Sequence, residues 1–190
     1  MTKKTVNIVW FKRDLRFTDN EALFNAHQAG IPLLLVYFFE PSVMNYDDAD
    51  VRHWRFIYES LQDLQKKLTV LNAKLYFFHS EVKTVFLEIM KHFDIQTVFS
   101  HQEIGNKITF DRDIAMQDFF QENNIVWNQF QLHGVIRKLK SRQNWDKRWE
   151  DVMRATPKIV KESDLNLISL DNDFYEIIKG KPLPNEITSP

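Results

Sequence analysis

The chain has 190 residues, 44% of them hydrophobic, enough for one full core and an appendage. Its 25 basic and 26 acidic residues give a net charge of −1, which excludes a bulk field drawing it to nucleic acid or to an anionic membrane. Cysteine is absent, so disulfides, thiolate metal sites and cysteine nucleophiles are excluded, and the composition fits a reducing compartment, the cytoplasm.

The first apolar run, 6–11, is broken only by Asn7. It is too short for a signal peptide or a membrane span and predicts a strand buried on both faces, as in a parallel sheet. Thr18 and Glu21 have the spacing of a capping box, and Ala22, Leu23 and Ala26 then carry a helix that stops at Gly30. A second buried strand spans 33–39. Asp50 opens the clearest helix, with Trp54, Ile57, Leu61, Leu64, Leu68 and Leu71 on one face. A third strand at 75–78 precedes a helix capped by Ser80, whose inner face is Val82, Val85, Phe86, Ile89, Met90 and Phe93. A fourth strand at 97–100, a helix at 109–123 around Ile114, Ala115 and Phe119, and a fifth strand at 125–130 complete the alternation.

Five strand–helix alternations call for a Rossmann-like α/β fold: a doubly wound, five-stranded parallel sheet with helices on both faces. Ligands of such sheets bind at the carboxyl ends of the strands, which directs attention to loops 12–19, 40–50, 79–81, 101–108 and 131–144. After 134 the pattern changes to a basic stretch (Arg137, Lys138, Lys140, Arg142, Lys147, Arg148) around a helix at 144–154. Trp145 and Trp149 lie four apart on it, a spacing that favours packing over base stacking. The Pro-punctuated remainder predicts a linker, and the division is 1–134 for the α/β domain and 135–190 for the basic/Trp helix and linker.

The four glycines build neither GxGxxG nor a P-loop, and there is no GxSxG elbow or HExxH pair. His101 and Glu103 alone are too few to argue a metal site, so none is assigned.

The stretch Trp10-Phe11-Lys12-Arg13-Asp14-Leu15-Arg16, followed by Asp19-Asn20-Glu21-Ala22-Leu23, closely resembles the opening motif of the cryptochrome/DNA photolyase family. Lys12 stands where Arg is commoner, keeping the charge and losing bidentate geometry. His53-Trp54-Arg55-Phe56 and the stretch Ser100-His101-Gln102-Glu103-Ile104-Gly105-Asn106, with Asp111-Arg112-Asp113 after it, extend the resemblance to about residue 130. Around 133–154 the chain departs from the commoner family pattern.

The resemblance implies an antenna-binding N-terminal domain of a DNA photolyase. Its chromophore, of methenyltetrahydrofolate or deazaflavin type, would meet Glu103, with Phe39 and Arg13 as further contacts. FAD would be bound by an absent helical domain beyond 190, and the intact protein, a lyase and a monomer, would repair cyclobutane dimers in UV-damaged DNA. No catalytic residue is assigned within 1–190, and the chain alone is expected to be inactive. A blue-light receptor of cryptochrome type, without repair, is the alternative. A nucleotide-binding or electron-transfer flavoprotein-like module is the alternative of a different class, and the glycine-free loop after the first strand argues against it.

Overall fold

A computed structural model of the protein describes residues 2–132, 134–137, 139 and 141–189. Lys138 and Lys140 of the basic stretch lie outside these. The elements alternate as β1 (Lys4–Phe11), α1 (Glu21–Gln28), β2 (Leu33–Phe38), α2 (Pro41–Met44), α3 (Val51–Thr69), β3 (Leu75–Phe78), α4 (Val82–His92), β4 (Phe93–His101), α5 (Lys107–Glu122) and β5 (Val126–Phe130). The five strands form one sheet in the order β3-β2-β1-β4-β5, every neighbouring pair parallel. The expected Rossmann-like α/β architecture is the one observed.

Because successive side chains of a strand point to opposite faces, the wholly apolar strands feed two cores. Val6, Ile8 and Trp10 join one with α4 and α5; Val9 and Phe11 join the other with α1 and α3. Asn7, the polar interruption in β1, sits where the β1–β4 register shifts, and its Oδ1 accepts the Thr97 N–H at 3.1 Å. The side chain thus replaces a ladder bond that the shift removes.

Several local expectations are corrected. Asn20, not Thr18, caps α1: its Oδ1 accepts from the Leu23 N–H at 2.9 Å while Thr18 is exposed in the preceding turn. Ser80 does not cap α4, which is preceded by Glu81 with no side-chain cap, and Phe93 begins β4 instead of ending the helix. Ile114 and Ala115 are exposed, and the inner face of α5 runs through Asp113, Met116, Phe119 and Phe120. Asp113 faces inward, where it pairs with Lys12 just after β1.

Within the segment expected as a linker, residues from Val160 onward pack on the domain, whereas 141–159 are exposed. α6 (Trp145–Met153) buries none of its residues, with Trp145 and Trp149 stacked at 6.5 Å and Trp149 lying against Gly134, where a Cβ would meet its ring at 2.2 Å. Beyond it come a single 3-10 turn, Glu162–Asp164, and two short helices, α7 (Asn172–Ile178) and α8 (Asn185–Thr188). Leu167 bridges Leu33, Gly180 bridges His79, and Ile168, Leu170, Tyr175 and Ile178 enter the core. No helix among the described residues is long and apolar enough to cross a membrane.

Candidate functional site

β1 lies between β2 and β4, where the strand order reverses, and its carboxyl end is the crevice where open parallel sheets take ligands. A cavity of about 720 Å³ opens there, lined by the loops after β1, β2 and β4 and by the first turns of α3. The loop after β3 is diverted: the His79 N–H donates to Lys179 O at 2.7 Å, and its Nδ1–H to Lys181 O at 3.0 Å. From the loop after β5, Arg137 turns inward, donating to the Glu103 carbonyl and lying 3.6 Å from Asp113.

The inner wall is a buried charge cluster. The Lys12 ammonium lies against the stacked indoles of Trp10 and Trp127, 4.3 and 4.9 Å from their centroids, and donates to both oxygens of Asp113 at 2.8 and 2.9 Å. Arg112 donates to Glu40, to Glu103 at 3.1 Å and to Asp113 at 3.0 and 3.1 Å, its plane 4.9 Å from Trp10. Glu103 Oε1 accepts from Arg13 Nε at 2.8 Å and from the Ile104 and Gly105 N–H groups at 3.0 and 2.8 Å. Gly105 permits this approach, since a Cβ there would meet Arg13 at 2.2 Å and Glu103 at 2.8 Å. Beneath, His101 Nδ1 meets Asp14 at 2.6 Å, so His101 serves Asp14 and not Glu103.

The environment separates these groups. Burial lowers Lys12 to about 8, its attraction to Asp113 offsetting only part of the cost of desolvation. Burial likewise raises Glu40 to about 7, outweighing Arg112. Glu103 is pushed up by burial too, yet the hydrogen bond from Arg13 and the charges of Arg112 and Arg13 hold it below the ordinary carboxylate range. Asp14 is held low in the same way, burial being overcome by His101.

Of the sequence candidates, Glu103 and Arg13 line the cavity. Phe39 does not: it is fully buried, its ring 5.0 Å from Tyr37 and 6.2 Å from Trp54, so it supports the wall from behind. Glu40, Arg112 and Trp54 line the cavity and escaped the sequence reading. Glu40 follows Phe39 directly and Arg112 stands in Asp111-Arg112-Asp113, so position at a strand end and charge density were the signals for them. Trp54 was assigned to the core stripe of α3 and to a family motif, without a ligand role.

The family model described as DNA photolyase matches residues 7–164. The chain belongs to the DNA photolyase family. It is 30% identical over 141 residues to cryptochrome-2 of Gallus gallus, covering 73% of this chain and 24% of that protein. With the deoxyribodipyrimidine photo-lyase of Buchnera aphidicola it shares 25% identity over 169 residues, 86% of this chain and 35% of the relative. The chain therefore spans about a quarter to a third of these photolyase-family proteins. The fold is shared with a Synechocystis cryptochrome (TM-score 0.71, 17% identity, 96% of this chain and 40% of that one). It is shared equally with an archaeal photolyase from Sulfolobus tokodaii, solved with two FAD molecules (TM-score 0.69, 20% identity, 92% and 41%).

Proposed function

We propose that this chain is the light-harvesting domain of a deoxyribodipyrimidine photolyase, and that the intact protein repairs cyclobutane pyrimidine dimers in DNA. The observation that carries the reading is the cavity at the end of β1, large enough for a drug-sized ring system and combining apolar with charged walls. Its residues fit a flat heteroaromatic chromophore of methenyltetrahydrofolate or deazaflavin type. Trp54, Phe56 and Ile57 offer apolar surface, Glu103 and Glu40 offer acceptors, and Arg13 and Arg16 offer charge to an anionic tail. When bound, such a group supplies absorption of near-ultraviolet or blue light and passes excitation on. The chain's own residues hold it, orient it through the fixed charge cluster and keep bulk water from its ring.

The loop from Lys12 to Arg16 contains no glycine and offers no cradle for a dinucleotide phosphate, which supports assigning FAD to the rest of the protein. The longer alignment with the Buchnera enzyme supports repair, and the crystal structure of the Sulfolobus photolyase implicates a light-harvesting cofactor. The higher identity to a cryptochrome supports the second reading, a blue-light receptor without repair.

The test is absorbance and photorepair by the intact protein. Flavin bands with an added near-ultraviolet or blue antenna band, and light-dependent restoration of dimer-containing oligonucleotides, are expected. Flavin bands without repair would establish the receptor reading, and flavin without an antenna band would leave the domain a structural platform. Antenna occupancy is expected to drop in Glu103→Gln while flavin occupancy holds; equal antenna occupancy would remove Glu103 from the site.

A further inference from the structure

Three carboxylates converge on Arg112, and they differ in what is left over. Both oxygens of Asp113 are taken by Lys12. Glu103 has three donors on Oε1 and Arg112 on Oε2. Glu40 is bound by Arg112 through Oε1 alone, and its Oε2 takes no hydrogen bond from any described residue. The residue is only 4% exposed and lines the cavity.

The local backbone makes this unusual. Glu40 occupies the position before α2, where an acidic side chain ordinarily bonds back to the free N–H groups of the first turn. It makes no such bond. The Ser42 N–H is served instead by Glu81, at 2.9 Å, which leaves Glu40 turned toward Arg112. Lys12 and the inward N–H groups of Arg112 are committed to Asp113 and Glu103. Glu40 lines the cavity, so a donor for its second oxygen can come from a ligand held there.

We propose that Glu40 determines ligand specificity in this cavity, its Oε2 accepting a hydrogen bond from a ring or amino N–H of the bound chromophore while Arg112 fixes the other oxygen. The inference rests on the antenna reading of the site and adds to it the residue and the ligand edge that meet. The charged and titratable groups facing Glu40 are Arg112 of α5, Lys12 after β1, Glu81 before α4, Glu103 after β4 and Tyr37 of β2. Burial outweighs the cations among them, so the carboxyl changes charge near neutrality. Binding of an N–H donor to the ionised form therefore strengthens as the pH rises through that range.

The experiment titrates the intact protein, freed of its antenna, with methenyltetrahydrofolate and with a hydroxylated deazaflavin, following fluorescence at about pH 6 and about pH 8. For wild type, affinity for the chromophore that binds is expected to be about tenfold weaker at the lower pH, a charged hydrogen bond being lost. Glu40→Gln should bind about tenfold more weakly than wild type at the higher pH and show no such dependence. Glu40→Asp, which keeps the charge and shortens the reach, should bind weakly with the dependence intact, and serves if the Gln variant fails to fold. Wild-type binding unaltered by pH, or equal affinity in the folded variants, would overturn this inference and leave the antenna reading standing. Failure of wild type to bind either chromophore at any pH would overturn both.

Discussion

The Lys12 ammonium and the Asp113 carboxylate meet at 2.8 Å across 101 residues of sequence, each side chain only 4% exposed. This pair ties the end of the central strand to α5 and explains why that helix turns an acid inward. Its two halves are not equivalent. Asp113 also receives Arg112 and lies near Arg137, whereas Lys12 has no other carboxylate within ion-pair distance among the described residues.

Asp113→Asn is therefore expected to cost about 3–5 kcal/mol, because it strands a buried ammonium among indoles. Lys12→Met, which leaves Asp113 with Arg112, should cost about 1–2 kcal/mol, mainly the lost cation–π contact and hydrogen bonds. Urea denaturation of both variants decides it, and a larger loss in Lys12→Met would refute the asymmetry.

Glu40 gives stability a pH dependence opposite in sign to that of its neighbours. Because burial raises it from 4.5 to about 7, the folded chain keeps a proton across that window that the unfolded chain has released. Its contribution is full below the window and lost as the pH rises through it. Glu103 and Asp14, held low, instead lose stability as the pH falls. Between about pH 5 and about pH 7 the stability of wild type relative to Glu40→Gln should fall by about 2 kcal/mol. A flat difference would show that Arg112 keeps Glu40 ionised throughout.

The cap of α1 is a direct comparison of the two readings of the chain. Asn20 accepts from the Leu23 N–H and donates to Asp14 Oδ2 at 3.1 Å and to Arg16 O at 2.9 Å, all while buried. Asn20→Ala should cost about 2–3 kcal/mol, a cap plus a buried carboxylate losing a donor, against about 0.5 kcal/mol or less for exposed Thr18→Ala. Thermal unfolding of both checks the order, and equal effects would restore the capping-box reading.

The strands were legible because a parallel sheet buries both faces, and 33–39 or 75–78 then stand out as unbroken apolar runs. Glu103 was legible through family resemblance and its place after a strand. The rest was hidden for identifiable reasons. Periodicity assigns Ile114 and Ala115 to the core because it weighs hydrophobicity, whereas the fold buries Asp113 against a lysine that lies far away in sequence. Glu40 precedes Pro41 and has the sequence appearance of an ordinary helix start; only the approach of Glu81 and Arg112 in space shows its side chain diverted. The tail packs through pieces too short for a pattern to stand out, such as Ile168 and Leu170 or Tyr175 and Ile178 on the seven-residue α7.

That tail carries the last prediction. Seven apolar side chains after residue 155 are buried among the described residues: Val160, Leu165, Ile168, Leu170, Tyr175, Ile178 and Ile187. Each contributes about 1.5–3 kcal/mol of burial before ordering costs, so together they are comparable to the whole stability of a typical domain. Backbone bonds to β2 and to the residue after β3 are among their fastenings. The Leu33 N–H donates to Asn166 O at 2.8 Å, and the His79 N–H to Lys179 O at 2.7 Å beside Gly180. Gly180 has φ +84, and a Cβ there would meet the His79 carbonyl oxygen at 2.1 Å, so an alanine must push the strap off β3. We expect the 190-residue chain to unfold cooperatively in urea, without bound FAD and without photorepair activity. Gly180→Ala should cost about 2–4 kcal/mol through strain and the displaced backbone bond. Truncation after 154 should leave a chain that binds a hydrophobic dye and lacks a cooperative transition. A truncated chain as stable as the longer one would reduce 155–190 to the free linker that its prolines first suggested.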